Sequence, residues 1–160
     1  MAERAITVAA WESLFRAQVT IMRALAAEFP SDVISLNEYD VLINITRAPG
    51  RRLRLKDLNR SVLITQPSVS RLVDRLASRG LVTKMHDPAD GRGTIVGITD
   101  EGFALFRRVA FRHMDTIDRH VGSALDEAEL RELIALCDRL RESVGERPAS
   151  QLDADAASGD

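Results

Sequence analysis

The segment from residue 65 to residue 81, TQPSVSRLVDRLASRGL, restricts the possible folds most strongly, because its apolar residues recur with the period of a helix. Four of them occupy positions i, i+3, i+4 and i+7: Val69, Leu72, Val73 and Leu76. This spacing lines one stripe of an α-helix, which we expect to be buried. Ser68, Arg71 and Arg75 fall on the opposite side, so the exposed face is small and cationic. An ordinary surface helix and a DNA-reading helix both fit this pattern.

Signals for a start and an end flank this predicted helix. Thr65 can cap the N-terminus, and Pro67 suits the first turn because proline has no N–H to leave unpaired. Gly80 suits the left-handed residue that ends a helix. Small hydroxyl side chains near the start allow the backbone to approach a DNA duplex, and arginines can bind guanine edges or phosphates.

The neighbouring elements predict a winged helix-turn-helix. Before the predicted helix come a short helix at 56–62 and a turn at 63–65. After it come a strand at 82–87, a glycine-rich loop at 88–93 and a strand at 94–99. A short helix, a tight turn and a longer helix form the helix-turn-helix, and the hairpin behind them is the wing. Arg92 near the wing tip can enter a narrow minor groove while Asp90 orients its guanidinium. Alternatively, these two residues only stabilise the turn.

Further helices are predicted at both ends of the chain. They span 8–29, then 35 to a stop at 48–50, 99–121, and 126–144, with a short strand or extended link at 52–55. The first helix is apolar on more than one side, through Trp11, Leu14, Phe15, Val19, Ile21, Met22, Leu25 and Phe29. A terminal helix of this kind packs either against a second copy of the chain or within its own core.

Charge is distributed unevenly along the chain. Residues 47–93 contain eleven Lys or Arg and four Asp, a net charge of +7. Because the whole chain carries −2, the remainder carries −9. The positive charge is thus concentrated around the predicted helix-turn-helix, a distribution typical of a surface that binds a polyanion.

Several other classes of protein are not expected. The chain shows neither the apolar core of a signal peptide nor a run long enough to span a membrane, so we expect a cytoplasmic protein. A single cysteine, Cys137, excludes an internal disulfide, and His86, His113 and His120 do not form a credible metal cluster. No catalytic set or phosphate loop is present, so neither an enzyme nor a cofactor is expected. The acidic tail at 145–160 has too little apolar surface to fold.

Two motifs resemble the MarR family of bacterial transcriptional regulators. Residues 90–102, DGRGTIVGITDEG, match the family's wing pattern, Asp-x-Arg followed by Val-x-Leu-Thr-x-x-Gly, with Ile98 in place of the leucine. Residues 66–76, QPSVSRLVDRL, and 79–82, RGLV, resemble its recognition helix and the exit into the wing. The resemblance covers nearly everything from residue 8 to residue 144.

The resemblance implies a mainly α fold with a small β wing, divided into four parts. These are an N-terminal dimerisation helix (1–34), a winged helix-turn-helix (35–99), C-terminal dimerisation helices (100–144) and a disordered tail (145–160). It also implies a homodimer that reads a pseudo-palindromic operator in double-stranded DNA. The expected function is a repressor of its own or neighbouring genes. The alternative is a winged-helix module that binds proteins and has lost DNA binding, which Arg71, Arg75 and Arg92 argue against.

The residues expected to contact DNA fall into three groups. Base and nearby phosphate contacts are assigned to Ser68, Ser70, Arg71 and Arg75, with Gln66 and Pro67 at the helix entrance. The wing contributes Arg92 and Asp90. Non-specific phosphate contacts are assigned to Arg51, Lys56, Arg60 and Lys84, any of which could instead be a solvated charge.

Members of the family commonly release DNA when a small aromatic or anionic molecule binds beside the dimerisation helices. Trp11, Arg16 and Tyr39 are candidates for the border of such a pocket, although aromatic residues on amphipathic helices usually belong to the core. The peroxide-sensing branch of the family uses a cysteine in the first helix. Since Cys137 lies on the last helix instead, thiol sensing is not expected.

Overall fold

The computed structural model describes residues 2–62 and 68–145. The α-helices in this part of the chain are α1 (Ala2–Glu28), α2 (Leu36–Arg47), α3 (Leu55–Ser61), α4 (Val69–Ser78), α5 (Asp100–Ile117) and α6 (Glu127–Ser143). The strands are β1 (Arg52–Arg54), β2 (Val82–Asp87) and β3 (Asp90–Ile98). A 3-10 turn at Pro49–Arg51 and a π-helical segment at Asp118–Gly122 complete the regular structure. The predicted fold class, mainly α with a small β wing, is confirmed.

The three strands form an antiparallel sheet in the order β1-β3-β2. Arg52 of β1 pairs with Gly97, and Val82 of β2 pairs with Ile98, so the central strand β3 joins the wing to the segment before α3. We call α2–α4 together with this sheet the winged module. Its fully buried side chains come from α2, α3, α4 and β3: Val41, Leu42, Ile45, Leu58, Leu72, Val73, Leu76 and Val96.

Local side chains define several helix ends, as the sequence predicted. Ser35 accepts a hydrogen bond from the Glu38 N–H, and the Glu38 carboxylate accepts one from the Ser35 N–H, which together form a capping box. Asp126 and Glu129 make the same arrangement at α6. The Thr99 hydroxyl accepts from the Gly102 N–H and donates to the Gly80 carbonyl, which fixes α5 against the end of α4.

A cluster of aromatic rings connects the end of α1 to the winged module. Phe29 and Tyr39 each meet the His113 ring edge-on, with 5.2 Å between centroids, and Tyr39 stacks on Phe106. Burial lowers the pKa of His113 and raises that of Tyr39. Both side chains are therefore held in their neutral forms at neutral pH.

Glu28 ties the end of α1 to the π-helical segment. Its carboxylate lies 2.6 Å from His120 Nε2 and accepts a 2.5 Å hydrogen bond from Arg119 Nη2. These hydrogen bonds, from His120 first and Arg119 second, lower the pKa of Glu28. The contact fixes the end of α1 against the π-helical segment that follows α5.

Much of the apolar surface of α1, α5 and α6 is exposed in the single chain. The exposed side chains are Ile6, Val8, Trp11, Phe15, Phe111, Met114, Ile117, Leu133, Ile134, Leu136, Leu140 and Val144. Leu25 and Phe29 at the end of α1 are buried, so the helix is divided into an exposed first part and a packed last turn. We call the exposed set the terminal apolar surface.

Five predicted element boundaries were wrong. The first helix begins at Ala2 rather than residue 8, because the preceding Ala, Glu and Arg favour a helix although they extend no apolar stripe. The third helix begins one residue earlier than predicted, at Leu55. Helix α4, the predicted DNA-reading helix, begins at Val69, so a start at Thr65 was too early. Residues 63–67, with the predicted turn, the predicted cap Thr65 and the predicted first-turn Pro67, lie outside the described residues.

The other two corrections concern the wing and α5. Strand β3 begins at Asp90, not residue 94, because the turn is confined to Pro88 and Ala89 and an irregularity at His86/Asp87 adjusts the register. The α-helical part of α5 ends at Ile117, and the Ser123 N–H bonds to the Asp118 carbonyl, five residues back, in the π-helical segment. The predicted tail beyond Gly145 lies outside the described residues. None of the helices described is long and apolar enough to cross a bilayer.

Candidate nucleic-acid interface

Helix α4 presents the predicted division between a buried and an exposed face. The apolar stripe of Val69, Leu72, Val73 and Leu76 is buried in the winged module. Ser68 and Arg71 are exposed and Ser70 is half-buried, which leaves a cationic, hydroxyl-bearing face toward solvent. Gly80, with φ of +71°, ends the helix in the left-handed conformation predicted for it.

Two arginines of this region contact a buried carboxylate on α2. Glu38 Oε1 lies 3.5 Å from Arg75 Nε, and Oε2 lies 3.8 Å from Arg79 Nη1. Arg79 also donates a 2.8 Å hydrogen bond from Nη2 to the Val33 carbonyl. Arg75 was predicted only as a DNA contact, and the structure places it at the boundary between the exposed face of α4 and α2.

The strand after α4 contributes a further cation. Lys84 on β2 donates a 2.6 Å hydrogen bond to Asp74 Oδ1 on the flank of α4. Both side chains are largely exposed, so this pair contributes little to stability. It does hold the Lys84 ammonium beside the recognition helix, where a phosphate contact was predicted.

An ion pair lies beside the turn of the wing hairpin. Arg54 Nε on β1 is 2.6 Å from Asp87 Oδ2 at the end of β2, and Asp87 Oδ1 accepts a hydrogen bond from the Ala89 N–H in the turn. Within the described residues no aligned hydrogen bond reaches Asp87 Oδ2, so the contact with Arg54 is ionic. Asp87 is 3% exposed, so the ion pair with Arg54 holds the end of β2 to β1 from a buried position.

The other predicted phosphate contacts differ in their surroundings. Lys56 and Arg60 are exposed on α3. Arg51 has a positive φ of 52°, and its guanidinium lies 3.7 Å from the centre of the Phe103 ring. Arg51 therefore packs on α5 as well as carrying charge, a role that sequence spacing did not indicate.

Four predicted DNA contacts lie where their side chains are not described. Gln66 and Pro67 are outside the described residues. Asp90 and Arg92 belong to β3 by their backbone, and their side chains are outside what the structure describes. Their roles stay predictions.

The winged module matches a known protein family. A model of the MarR family matches residues 34–93. The HTH-type transcriptional regulator PecS of Dickeya dadantii (strain 3937) is 32% identical over 130 residues, which cover 80% of this chain and 77% of PecS. The chain belongs to the MarR family. It is thus a transcriptional regulator, as the two sequence motifs predicted.

Solved MarR-family structures share the fold along most of the chain. Sco3205 of Streptomyces coelicolor, solved in complex with DNA, is 28% identical with a TM-score of 0.73, covering 84% of this chain and 85% of its own. BpsR of Bordetella bronchiseptica, whose DNA binding is regulated by 6-hydroxynicotinic acid, shares the fold at 24% identity and a TM-score of 0.70, over 82% of this chain and 97% of BpsR. These proteins are regulators and not enzymes.

The residues predicted to border an effector pocket in this MarR-family chain lie in different surroundings. Tyr39 is buried in the aromatic cluster, whereas Trp11 is exposed and stacks on Phe15. Arg16 is exposed and forms an i, i+4 pair with Glu12 at 2.6 Å. Within one chain, Tyr39 therefore belongs to the core, whereas Trp11 and Arg16 lie at the surface.

Sequence reasoning missed the contacts between elements distant in the chain. Glu38 with Arg75, Arg54 with Asp87, and Glu28 with Arg119 all join different elements. A capping box already accounts for Glu38 in the sequence, so nothing indicated a second role. For Asp87, the only indication in the sequence of a contact with another element was its position at the end of a predicted strand.

Proposed function

We propose that this MarR-family regulator is a dimeric, sequence-specific DNA-binding repressor whose two winged modules read a pseudo-palindromic operator. One observation carries the proposal: α4 buries its apolar stripe completely and leaves Arg71 exposed on the opposite face. A helix held in this way can enter a major groove, where an arginine can bind a guanine through two hydrogen bonds.

The surrounding charges support a DNA duplex as the ligand. Lys84 lies beside α4, Lys56 and Arg60 lie on α3, and residues 47–93 carry a net charge of +7. In our proposal, Ser68, Ser70, Arg71 and Arg75, with Gln66 and Pro67, contact the operator; Lys56, Arg60 and Lys84 contact phosphates; Arg92, oriented by Asp90, enters the minor groove. Sco3205, which has the same fold, was solved in complex with DNA, and this supports a DNA duplex as the ligand.

The terminal apolar surface supports the dimer. Trp11 and Phe15 on α1 are 63% and 53% exposed, and Val144 at the end of α6 is 77% exposed. Apolar residues distributed along two long helices on this scale are typical of an interface between subunits. A two-fold dimer would present its recognition helices to successive major grooves, about 34–36 Å apart.

We further propose that a small aromatic or anionic molecule releases the operator. An open groove of about 720 Å³ along α5 is lined by Phe106, Phe111, Met114, Ala104, Ala110, Arg107 and Arg108. Aromatic walls with two guanidinium groups suit such a ligand. Trp11, Arg16 and Tyr39 remain our candidates for the border of the effector site. Of these, α1 contributes the exposed Trp11 and Arg16. A ligand that favours a spacing of the modules unsuited to the operator lowers DNA affinity.

Footprinting on the DNA that flanks the gene tests the proposal, with and without aromatic acids and their neutral amides. We expect a protected inverted repeat, an affinity that falls steeply as salt rises, and loss of protection with at least one acid. Equal binding to the flanking DNA and to a scrambled duplex, at a salt concentration high enough to suppress non-specific binding, would contradict sequence-specific recognition. Protection that no acid in the panel removes would contradict the proposed class of effector.

A further inference from the structure

We infer that Glu38 is a positioning residue for DNA recognition: it holds the Arg75 guanidinium at the orientation in which it meets the operator. The inference rests on the proposed DNA-binding function and adds a residue to it. Glu38 lies on α2, outside every element predicted to touch DNA, and is 6% exposed.

Three contacts fix the Glu38 carboxylate between α2 and α4, and a fourth, from the Glu38 backbone, completes the capping box. Oε2 accepts a 2.8 Å hydrogen bond from the Ser35 N–H, while the Glu38 backbone N–H donates to the Ser35 hydroxyl at 3.1 Å. The same carboxylate faces Arg75 Nε at 3.5 Å and Arg79 Nη1 at 3.8 Å. Because the capping box already restrains this side chain, the Arg75 guanidinium faces a carboxylate of fixed position; the contact is ionic, at 3.5 Å, and not an aligned hydrogen bond.

The two arginines have different surroundings. Arg79 is tied twice, to Glu38 and through a 2.8 Å hydrogen bond to the Val33 carbonyl, so it holds the C-terminal end of α4 to the segment before α2. Arg75 meets Glu38 through Nε, the nitrogen nearest the chain, and its side chain is 54% exposed. A guanidinium has five N–H donors, so the pair of donors at the far end remains for a guanine or a phosphate.

The ion pair contributes to orientation more than to stability. Solvent screens the half-exposed arginine, so the pair contributes little free energy although Glu38 is buried. An arginine that is restrained before binding loses less side-chain entropy when it forms its hydrogen bonds. This smaller loss strengthens binding only to DNA that carries the base that the restrained guanidinium can contact. Glu38 is therefore expected to raise the affinity for the operator more than the affinity for random DNA.

A double-mutant cycle tests this inference. Wild type, Glu38→Gln, Arg75→Ala and the double variant are titrated by fluorescence anisotropy on the footprinted operator and on a scrambled duplex of equal length, at one salt concentration. The glutamine amide oxygen can still accept the Ser35 N–H, so Glu38→Gln removes the charge and keeps an acceptor for the cap. Glu101→Gln, an exposed residue on α5, is the control with the same change in net charge.

We expect Arg75→Ala to lower operator affinity about tenfold in the wild-type background and less than about threefold in the Glu38→Gln background. Glu38→Gln alone should reduce the ratio of operator to scrambled affinity, whereas Glu101→Gln should leave that ratio unchanged. An equal effect of Arg75→Ala in both backgrounds overturns the inference, because Glu38 then does not act through Arg75. Wild type that fails to prefer the operator instead contradicts the proposed function.

Arg75→Lys keeps the inference testable if Glu38→Gln does not fold. Lysine retains the charge but lacks Nε and the far pair of donors. We expect it to bind the scrambled duplex like wild type and to lose operator preference as Arg75→Ala does. Wild-type operator preference in Arg75→Lys would show that guanidinium orientation is not used.

Discussion

Arg54 Nε lies 2.6 Å from Asp87 Oδ2, and this pair joins the first strand of the sheet to the end of β2, beside the wing turn. Asp87 is almost completely buried, while Arg54 keeps 40% of its side chain exposed. The turn end of β2 is therefore held to β1 by a carboxylate that has few alternatives to this partner, since water reaches it poorly.

Neutralising that carboxylate should loosen the wing. We expect Asp87→Asn to lower the free energy of unfolding by about 1 kcal/mol, because Arg54 loses its anionic partner and the neutral amide makes a weaker contact in its place. Urea unfolding measures the change. Asp74→Asn, which breaks the exposed pair with Lys84, is the matched control and should cost less. Equal losses in the two variants would show that burial of Asp87 does not matter.

The exposed arginine of α4 should carry sequence preference. We expect Arg71→Ala to lower operator affinity about tenfold and random-DNA affinity much less, whereas Arg60→Ala should weaken both alike. Arg60 is the better comparison than Arg51, since Arg51 also packs on Phe103 and its removal would disturb the fold. Titrations on operator and scrambled duplexes give both ratios. The same ratio for Arg71→Ala and Arg60→Ala would refute this division.

A charge on the terminal apolar surface should separate the subunits. Leu140 on α6 is 54% exposed in the single chain, so Leu140→Glu should yield a folded monomer that binds the operator at least about tenfold more weakly. Ala135→Glu adds the same charge on the opposite side of α6 and should remain dimeric. Light scattering after size exclusion measures the mass. A dimeric Leu140→Glu protein would place the interface elsewhere.

Stability should fall on mild acidification because of His113. Burial lowers the pKa of this side chain, so the unfolded chain takes up its proton near the ordinary value of about 6.5 while the folded chain still excludes it. The free energy of unfolding therefore decreases as pH falls below about 6.5, by at most about 1.4 kcal/mol per unit from this residue. We expect His113→Phe to flatten urea-unfolding midpoints measured between pH 7 and pH 5. An unchanged slope would assign the acid sensitivity to other groups.

A methyl group at Gly102 should disrupt the junction between α4 and α5. A Cβ built there would lie 2.0 Å from the Leu81 carbonyl oxygen, a backbone atom that cannot move aside. We expect Gly102→Ala to destabilise the protein by about 2 kcal/mol or more. At Gly97 the nearest atoms, 3.3 Å away, belong to the side chains of Arg52 and Thr83, so Gly97→Ala should cost less. Thermal unfolding compares the two, and a reversed order would contradict the clash.

Local patterns predicted most of the fold because they act over a few residues. The Ser35–Glu38 and Asp126–Glu129 caps and the left-handed Gly80 each depend on neighbours in the sequence. The start of α4 could not be predicted in the same way. Thr65 and Ser68 both suit an N-cap, and the apolar stripe begins only at Val69, so periodicity does not choose between them.

The wing and the site were less predictable for a different reason. Glycines at 91 and 93 suit a loop, yet the register moves from Thr94 opposite His86 to Asp90 opposite Asp87, so β3 reaches back to Asp90 across them. The charged pairs of the site join residues far apart in sequence; Glu38 and Arg75 belong to different helices. Such contacts depend on the tertiary packing that places α2 beside α4. The spacing of residues along one helix does not predict this packing.

The terminal apolar surface has a consequence for how the regulator responds to its own abundance. If two chains must cover this surface together, the folded dimer is favoured by mass action, and its thermal midpoint rises with protein concentration. At low concentration the occupancy of an operator then grows with the square of the amount of free chain. A repressor of its own gene built in this way would switch within a narrower range of expression levels than a monomer with the same recognition helix.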